Sequence, residues 1–150
     1  MCFLLKMKSL LTLLCFGFSS LLLAQDWHED FTQAVDLAKK EQKPIVLVFA
    51  GSDWCAPCKK LERQIWATEE FKAYAEDHYV LYKADFPRKK KNQLPQHRID
   101  QNKGLAEKYN VRGYFPLVLV LDPETTVLGT MGYENLSAKA YINRLNSFLR

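Results

Sequence analysis

Ile45-Val46-Leu47-Val48-Phe49-Ala50-Gly51-Ser52-Asp53-Trp54-Cys55-Ala56-Pro57-Cys58-Lys59-Lys60-Leu61 passes from an apolar block through a polar turn into a cysteine-bearing segment. The first six residues form an unbroken apolar, β-branched run, the pattern of a strand covered on both faces. Gly51-Ser52-Asp53 has the composition of a turn. A helix is predicted from Cys55 to about Ala67, with Pro57 in the first turn, where its missing N–H costs nothing. Two cysteines three residues apart thus sit where a buried strand feeds a helix N-terminus.

Outward from this junction the chain alternates helix and strand. Phe31, Ala34, Val35, Leu37 and Ala38 recur at helical spacing, predicting an amphipathic helix over Trp27–Lys43 that stops before Pro44. Thr68 before Glu69-Glu70-Phe71 reads as an N-cap opening a helix through Ala75. Tyr79–Asp85 is the second strand, Pro87–Pro95 a polar loop, and Leu105–Tyr109 the end of another helix. Leu117–Leu121 and Thr126–Met131 form a hairpin, and Ser137 caps a last helix carrying Tyr141, Ile142, Leu145, Phe148 and Leu149 on one face. The order predicts an α/β fold: a small mixed four-stranded sheet flanked by helices on both faces, in one domain without repeats.

Length and composition agree with a single core. The chain has 150 residues, 48% hydrophobic and 25% charged, which excludes wholesale disorder. Residues 1–25 read as an export signal: Lys6 and Lys8 precede the apolar run Leu10–Ala24, and charges resume at Asp26. The run is shorter than the roughly 20 apolar residues that span a bilayer comfortably. Cleavage near Ala24 or Gln25 leaves a domain over 26–150, exported to the periplasm or secreted; an uncleaved N-terminal anchor is the lesser alternative. Leu14 before Cys15 argues against a lipidation site, and Met7 is an alternative start. Lys6 and Lys8 account for two of the 21 basic residues, leaving 19 against 17 acidic, a net charge of +2. That balance makes no case for nucleic acid.

With the signal removed, Cys55 and Cys58 are the cysteines that remain. One close pair cannot staple a domain of this size. Zinc would require two more ligands, and His28, His78 and His97 stand isolated from the pair and from one another. No metal is expected; redox chemistry is. A helix N-terminus stabilises a thiolate, so Cys55 is expected to be the exposed nucleophile and Cys58 the more buried resolving thiol, within disulfide reach. Trp54 reads either as a flat wall for docking a peptide or as a core residue, and Trp27 and Trp66 as packing. Lys59 and Lys60 are solvated and contribute little to the Cys55 pKa.

The segment Val48–Leu61 resembles the active-site segment of the thioredoxin superfamily. More closely, it is similar to exported bacterial thioredoxin-like proteins with Gly-Ser-Asp-Trp-Cys before the second cysteine. Asp85-Phe86-Pro87, Tyr109-Asn110-Val111-Arg112-Gly113 and Gly132-Tyr133 follow in the order such proteins have. The resemblance implies a thioredoxin fold, thiol–disulfide exchange without a bound cofactor, and a cis-proline facing the disulfide. Pro116 is the candidate for that proline, with Phe115 offering backbone groups to a substrate. In two places this chain departs from the pattern. Tyr114 and Phe115 separate Gly113 from Pro116 where the family has one residue, and Leu117 stands where it has threonine. Phe49 occupies the position, six before the first cysteine, of the aspartate that serves the resolving thiol; Asp53, Asp85 or water are the substitutes.

Direction follows from the residues between the cysteines. Pro57 before Cys58 is similar to reducing thioredoxins, whereas oxidases and isomerases carry histidine there, and apolar Ala56 adds no charge to hold a thiolate. The expected protein is a monomeric reductase of protein disulfides, recharged by a membrane electron donor. The alternatives are an oxidase or isomerase, a factor keeping apocytochrome cysteines reduced, and a non-catalytic binding module using the same groove. Arg88-Lys89-Lys90-Lys91 reads as a solvated loop, and Tyr114 and Tyr133 as packing residues.

Overall fold

The apolar run Ile45–Ala50 is strand β2, buried along its whole length at the centre of a five-stranded sheet ordered β1-β3-β2-β4-β5. The computed structural model describes residues 27–150; the expected signal segment, with Cys2 and Cys15, lies outside the described residues. β2 pairs in parallel with β3 (Val80–Asp85) and antiparallel with β4 (Leu117–Leu121), Val46 facing Leu81 on one side and Val120 on the other. β4 continues antiparallel into β5 (Val127–Met131), with an irregularity at Val120/Leu121.

The sheet has one strand more than the four expected. β1 is the two-residue segment Trp27–His28, parallel to β3 through Trp27–Leu81 and His28–Tyr82. Two residues carry no alternation, so the sequence merges them into the helix behind them. That helix, α1, spans Phe31–Glu41: Asp30 caps it by accepting from the Gln33 N–H at 3.0 Å, and Gln42 ends it in the left-handed region.

Alternation along β2 divides the core. Val46, Val48 and Ala50 face a layer containing Cys55, Cys58, Trp66, Phe71, Tyr141 and Leu145. These come from α2 (Ala56–Leu61), the π turn Glu62–Trp66, α3 (Glu69–His78) and α5 (Ala138–Asn146). Ile45, Leu47 and Phe49 face the opposite layer, with Ala34 and Ala38 of α1 and Leu105 of α4 (Gln96–Tyr109). The helix predicted over Cys55–Ala67 is thus α2 running into one wide turn, which keeps Leu61, Ile65 and Trp66 all buried. Thr68 caps α3 as expected, accepting from the Phe71 N–H at 3.2 Å.

A polar thread ties α4 to the sheet end where the cysteines sit. The buried Tyr82 hydroxyl lies 2.7 Å from both Gln101 Oε1 and Asn102 Oδ1, and burial pushes its pKa up to about 12. Asn102 Nδ2 donates to the Asp85 carbonyl at 3.1 Å. The Asp85 carboxylate accepts from the Ser52 N–H at 2.8 Å and the Ser52 hydroxyl at 2.6 Å. The turn before Cys55 is thereby fastened to the end of β3.

Candidate active site

Gly51 is the hinge of the turn. Its carbonyl accepts from the Cys55 N–H at 2.8 Å and the Trp54 N–H at 3.2 Å. A Cβ at this position would overlap the Trp54 indole, so the close approach of ring and backbone requires glycine. Cys55 caps α2: its Sγ accepts from the Cys58 N–H at 3.2 Å, and the two cysteines are joined in a disulfide with Cα atoms 5.2 Å apart. In the reduced protein the same N–H faces a thiolate, which a donor at a helix start favours over the thiol. The expected contrast in accessibility is absent. Cys55 is 4% exposed and Cys58 6%, because both are packed into the core layer when oxidised.

Phe115 and Pro116 are joined by a cis peptide bond, and buried Pro116 lines a cavity together with Cys58. Trp54 meets Phe115 edge-on at 5.3 Å, Phe115 meets Phe86 edge-on at 5.5 Å, and the indole N–H donates to the Phe86 carbonyl at 2.7 Å. The Trp54 ring packs against the core and also lines an open groove of about 650 Å³ with Phe86, Pro87, Arg88, Gly113 and Phe115. A second cleft, of about 490 Å³, runs past Pro57, Pro116 and Gly132 to Tyr114 and Tyr133.

Of these tyrosines, Tyr133 packs against the core layer as the sequence implied, whereas Tyr114 does not. Tyr114 is 56% exposed, and it is the additional residue between Gly113 and Pro116. Buried Asn110 brackets it: Nδ2 donates to the Tyr114 carbonyl at 2.8 Å, and Oδ1 accepts the Tyr114 N–H at 2.9 Å. With Gly113 at φ +67°, the longer loop turns outward at Tyr114. Asn110 stood in the quoted motif, but only the fold shows that its amide closes on a loop four residues ahead.

The acid sought in the sequence is placed differently from expectation. Phe49 points into the α1/α4 layer and stacks on Phe86 at 6.4 Å, on the face of the sheet away from the cysteines. Counting six residues back from Cys55 lands on the wrong side of the pleat, because a one-residue offset in a strand reverses the face. The β2 residues lining a cavity beside Cys58, of about 410 Å³, are Val48 and Ala50. Asp85 is engaged by Ser52, as described above. Asp53 accepts from the backbone N–H groups of Arg88 (3.0 Å) and Lys89 (2.9 Å) and from Asn92 Nδ2 (3.0 Å). Those donors, the Arg88 N–H foremost, hold its pKa down to about 2, so it stays ionised well below neutrality and is a poor proton carrier. The cavity wall carries another acid, Glu62, whose carboxylate is 2.7 Å from the Lys83 ammonium. Lys83 also lies 4.4 Å from the centre of the Trp27 ring. Among the described residues no cluster of His, Cys, Asp or Glu could hold a metal ion, and no helix is long and apolar enough to cross a membrane.

A buried disulfide at a strand-to-helix junction, sharing a cavity with a cis-proline on a five-stranded mixed sheet, is a thioredoxin-type arrangement. The chain belongs to the thioredoxin-like family, whose model matches residues 26–123. Among individual proteins, it is 37% identical over 122 residues to the disulfide bond reductase DsbH of Chlamydia pneumoniae, covering 81% of this chain and 72% of that one. The solved structure of a DsbH oxidoreductase matches with a TM-score of 0.76 at 35% identity, over 83% of each chain. A thioredoxin from Thermus thermophilus gives 0.61 at 15% identity, covering 82% of this chain and 85% of that one, a likeness of fold. The chain is a DsbH-like thiol–disulfide oxidoreductase with a Cys55–Cys58 redox disulfide.

Proposed function

We propose that the protein reduces disulfide bonds of other proteins in the cell envelope, acting as a monomer after removal of residues 1–25. The observation that carries the reading is the placement of Cys55 as the cap of α2, with the Cys58 N–H on its sulfur, in the chain between Trp54, which lines one groove, and Pro57, which lines the other. The Cys55 thiolate attacks one sulfur of a substrate disulfide. A Cys55–substrate disulfide forms, and the other substrate sulfur leaves as a thiolate. Cys58 then gives up its proton and attacks Cys55 Sγ, releasing the second substrate thiolate. Two electrons have passed to the substrate, and the protein ends with the Cys55–Cys58 disulfide. Trp54 and Phe115 wall the bound chain, and Phe115 and Pro116 present backbone to it.

Glu62, paired with Lys83 in the cavity that also exposes Cys58, is placed to receive the proton that Cys58 loses. Asp53 and Asp85 are occupied elsewhere. Glu62→Gln keeps the shape and removes the base, so single-turnover release of the second substrate thiolate slows, on the order of 10-fold. Formation of the mixed disulfide keeps its rate. An unchanged second step in rapid-quench kinetics assigns the proton to water.

The direction of transfer is tested by equilibrating the Cys55–Cys58 couple against glutathione or dithiothreitol buffers. Pro57 and Ala56 predict a potential near that of thioredoxin, about −270 mV, whereas a value of about −120 to −180 mV makes the protein an oxidant or isomerase. A reductase in an oxidising envelope has to be recharged. A membrane protein passing reducing equivalents outward is the expected donor, and removing such donors from cells leaves Cys55 oxidised.

A further inference from the structure

The run Arg88-Lys89-Lys90-Lys91, read from sequence as a solvated loop, is built onto the active site. Its start is anchored from below by the Asp53 carboxylate, one residue before Trp54, through the Arg88 and Lys89 N–H groups, and Asn92 closes the third bond. Lys90–Asn92 form a short 3-10 turn that holds the segment in shape. The Arg88 guanidinium carbon lies 3.8 Å from the centre of the Trp54 ring, and Arg88 lines the groove formed by Trp54, Phe86, Gly113 and Phe115.

Charge on this rim is one-sided. Arg88, Lys89, Lys90 and Lys91 are all exposed, and among the described residues none of their side chains makes a salt bridge. Exposed Arg112 adjoins Gly113 on the far wall of the groove, and Lys59 Nζ reaches the Asp53 carbonyl at 3.2 Å from the α2 side. Of the two carboxylates near this turn, Asp53 is turned to the loop amides and Asp85 is held by Ser52. The domain's mild net charge therefore conceals a local excess of cations beside the disulfide. A guanidinium stacked on an aromatic ring is held in place and still has its planar fork of donors for a carboxylate.

We propose that this groove selects substrate disulfides flanked by acidic residues, with Arg88 and the Lys89–Lys91 rim receiving the carboxylates. The inference rests on the reading of the protein as a protein-disulfide reductase and names its substrate class. The positive rim draws an acidic chain toward the site and disfavours a basic one before any bond is exchanged.

Three peptides, each with the same intrachain disulfide but flanked by Glu, Gln or Lys, test this with the reduced full chain. The expected order of kcat/KM is Glu above Gln above Lys, with the Glu/Lys ratio about 10-fold at low ionic strength and falling towards unity as salt screens the rim. Lys89→Glu/Lys90→Glu/Lys91→Glu lowers or inverts that ratio, which is an internal comparison independent of the variant's overall rate. The salt series on the unaltered protein needs no variant to fold. Equal kcat/KM for the three peptides overturns the inference and leaves the reductase reading standing. A Glu/Lys ratio that the triple variant does not move overturns the assignment to this loop. Failure to reduce any of the peptides removes the reductase reading, and the substrate class with it.

Discussion

Cys58→Ser stops turnover and leaves the protein covalently joined to its substrate through Cys55, as an adduct that dithiothreitol releases. Cys55→Ser forms no adduct and loses essentially all activity. The difference arises because the two sulfurs occupy different positions although they are buried alike. Cys55 caps α2 and receives the Cys58 N–H, a donor at a helix start that favours a thiolate over a thiol. Cys58 lies within the first turn, beside the cavity carrying Glu62, and gains its role only after Cys55 has been modified. Serine is close to cysteine in size, and a disulfide closing so small a loop adds little stability, so both variants are expected to fold. Intact-mass analysis after mixing with a disulfide peptide reads the adduct directly. A stable adduct on Cys55→Ser, and none on Cys58→Ser, reverses the proposed roles.

Several parts of this site were legible in sequence because local chemistry alone determines them. Ile45–Ala50 had to be a two-sided buried strand, Gly51–Asp53 a turn, and the cysteines the start of a helix; each follows from side-chain type and order. The hairpin and the capped helices beginning after Thr68 and Ser137 were readable for the same reason. β1 was not, because two residues have no periodicity and their pairing with Leu81 and Tyr82 is decided by a strand more than 50 positions away.

The misplaced assignments share a cause. Phe49 was matched by counting residues, yet which face a strand residue presents depends on the pleat, which a count does not follow. Asp53 was one candidate proton carrier, beside Asp85 and water, as an acid near the cysteines, whereas three donors from a segment 35 to 39 residues away have already claimed it. The same three bonds hold the start of the Arg88–Lys91 run beside the groove that Arg88 lines. Composition records four cations; only the tertiary contact shows that Arg88 lies on an active-site ring. Functional roles that depend on which side chain receives a hydrogen bond are therefore the ones a linear reading loses.

Trp66→Ala lowers stability by about 3–5 kcal/mol, the usual cost of truncating a large buried aromatic. For a domain of this size that corresponds to a fall in Tm of roughly 10–20 °C. Trp66 is 1% exposed and meets three rings edge-on: Trp27 at 5.8 Å, Phe71 at 4.7 Å and Tyr141 at 5.4 Å. Through them it joins the β1 edge, α3 and α5, so its loss opens a void that none of the three elements can close alone. Its ring also lines the cavity beside Cys58, which the void would enlarge. Trp54 differs: half-buried, and hydrogen-bonded to Phe86, it presents a face to the groove. Trp66 is thus enclosed within the core, whereas Trp54 borders an open groove, a difference their sequence contexts only partly revealed. Calorimetry on the oxidised protein measures the effect, and a Tm within about 3 °C of the parent would show that the ring cluster is not the keystone of this layer.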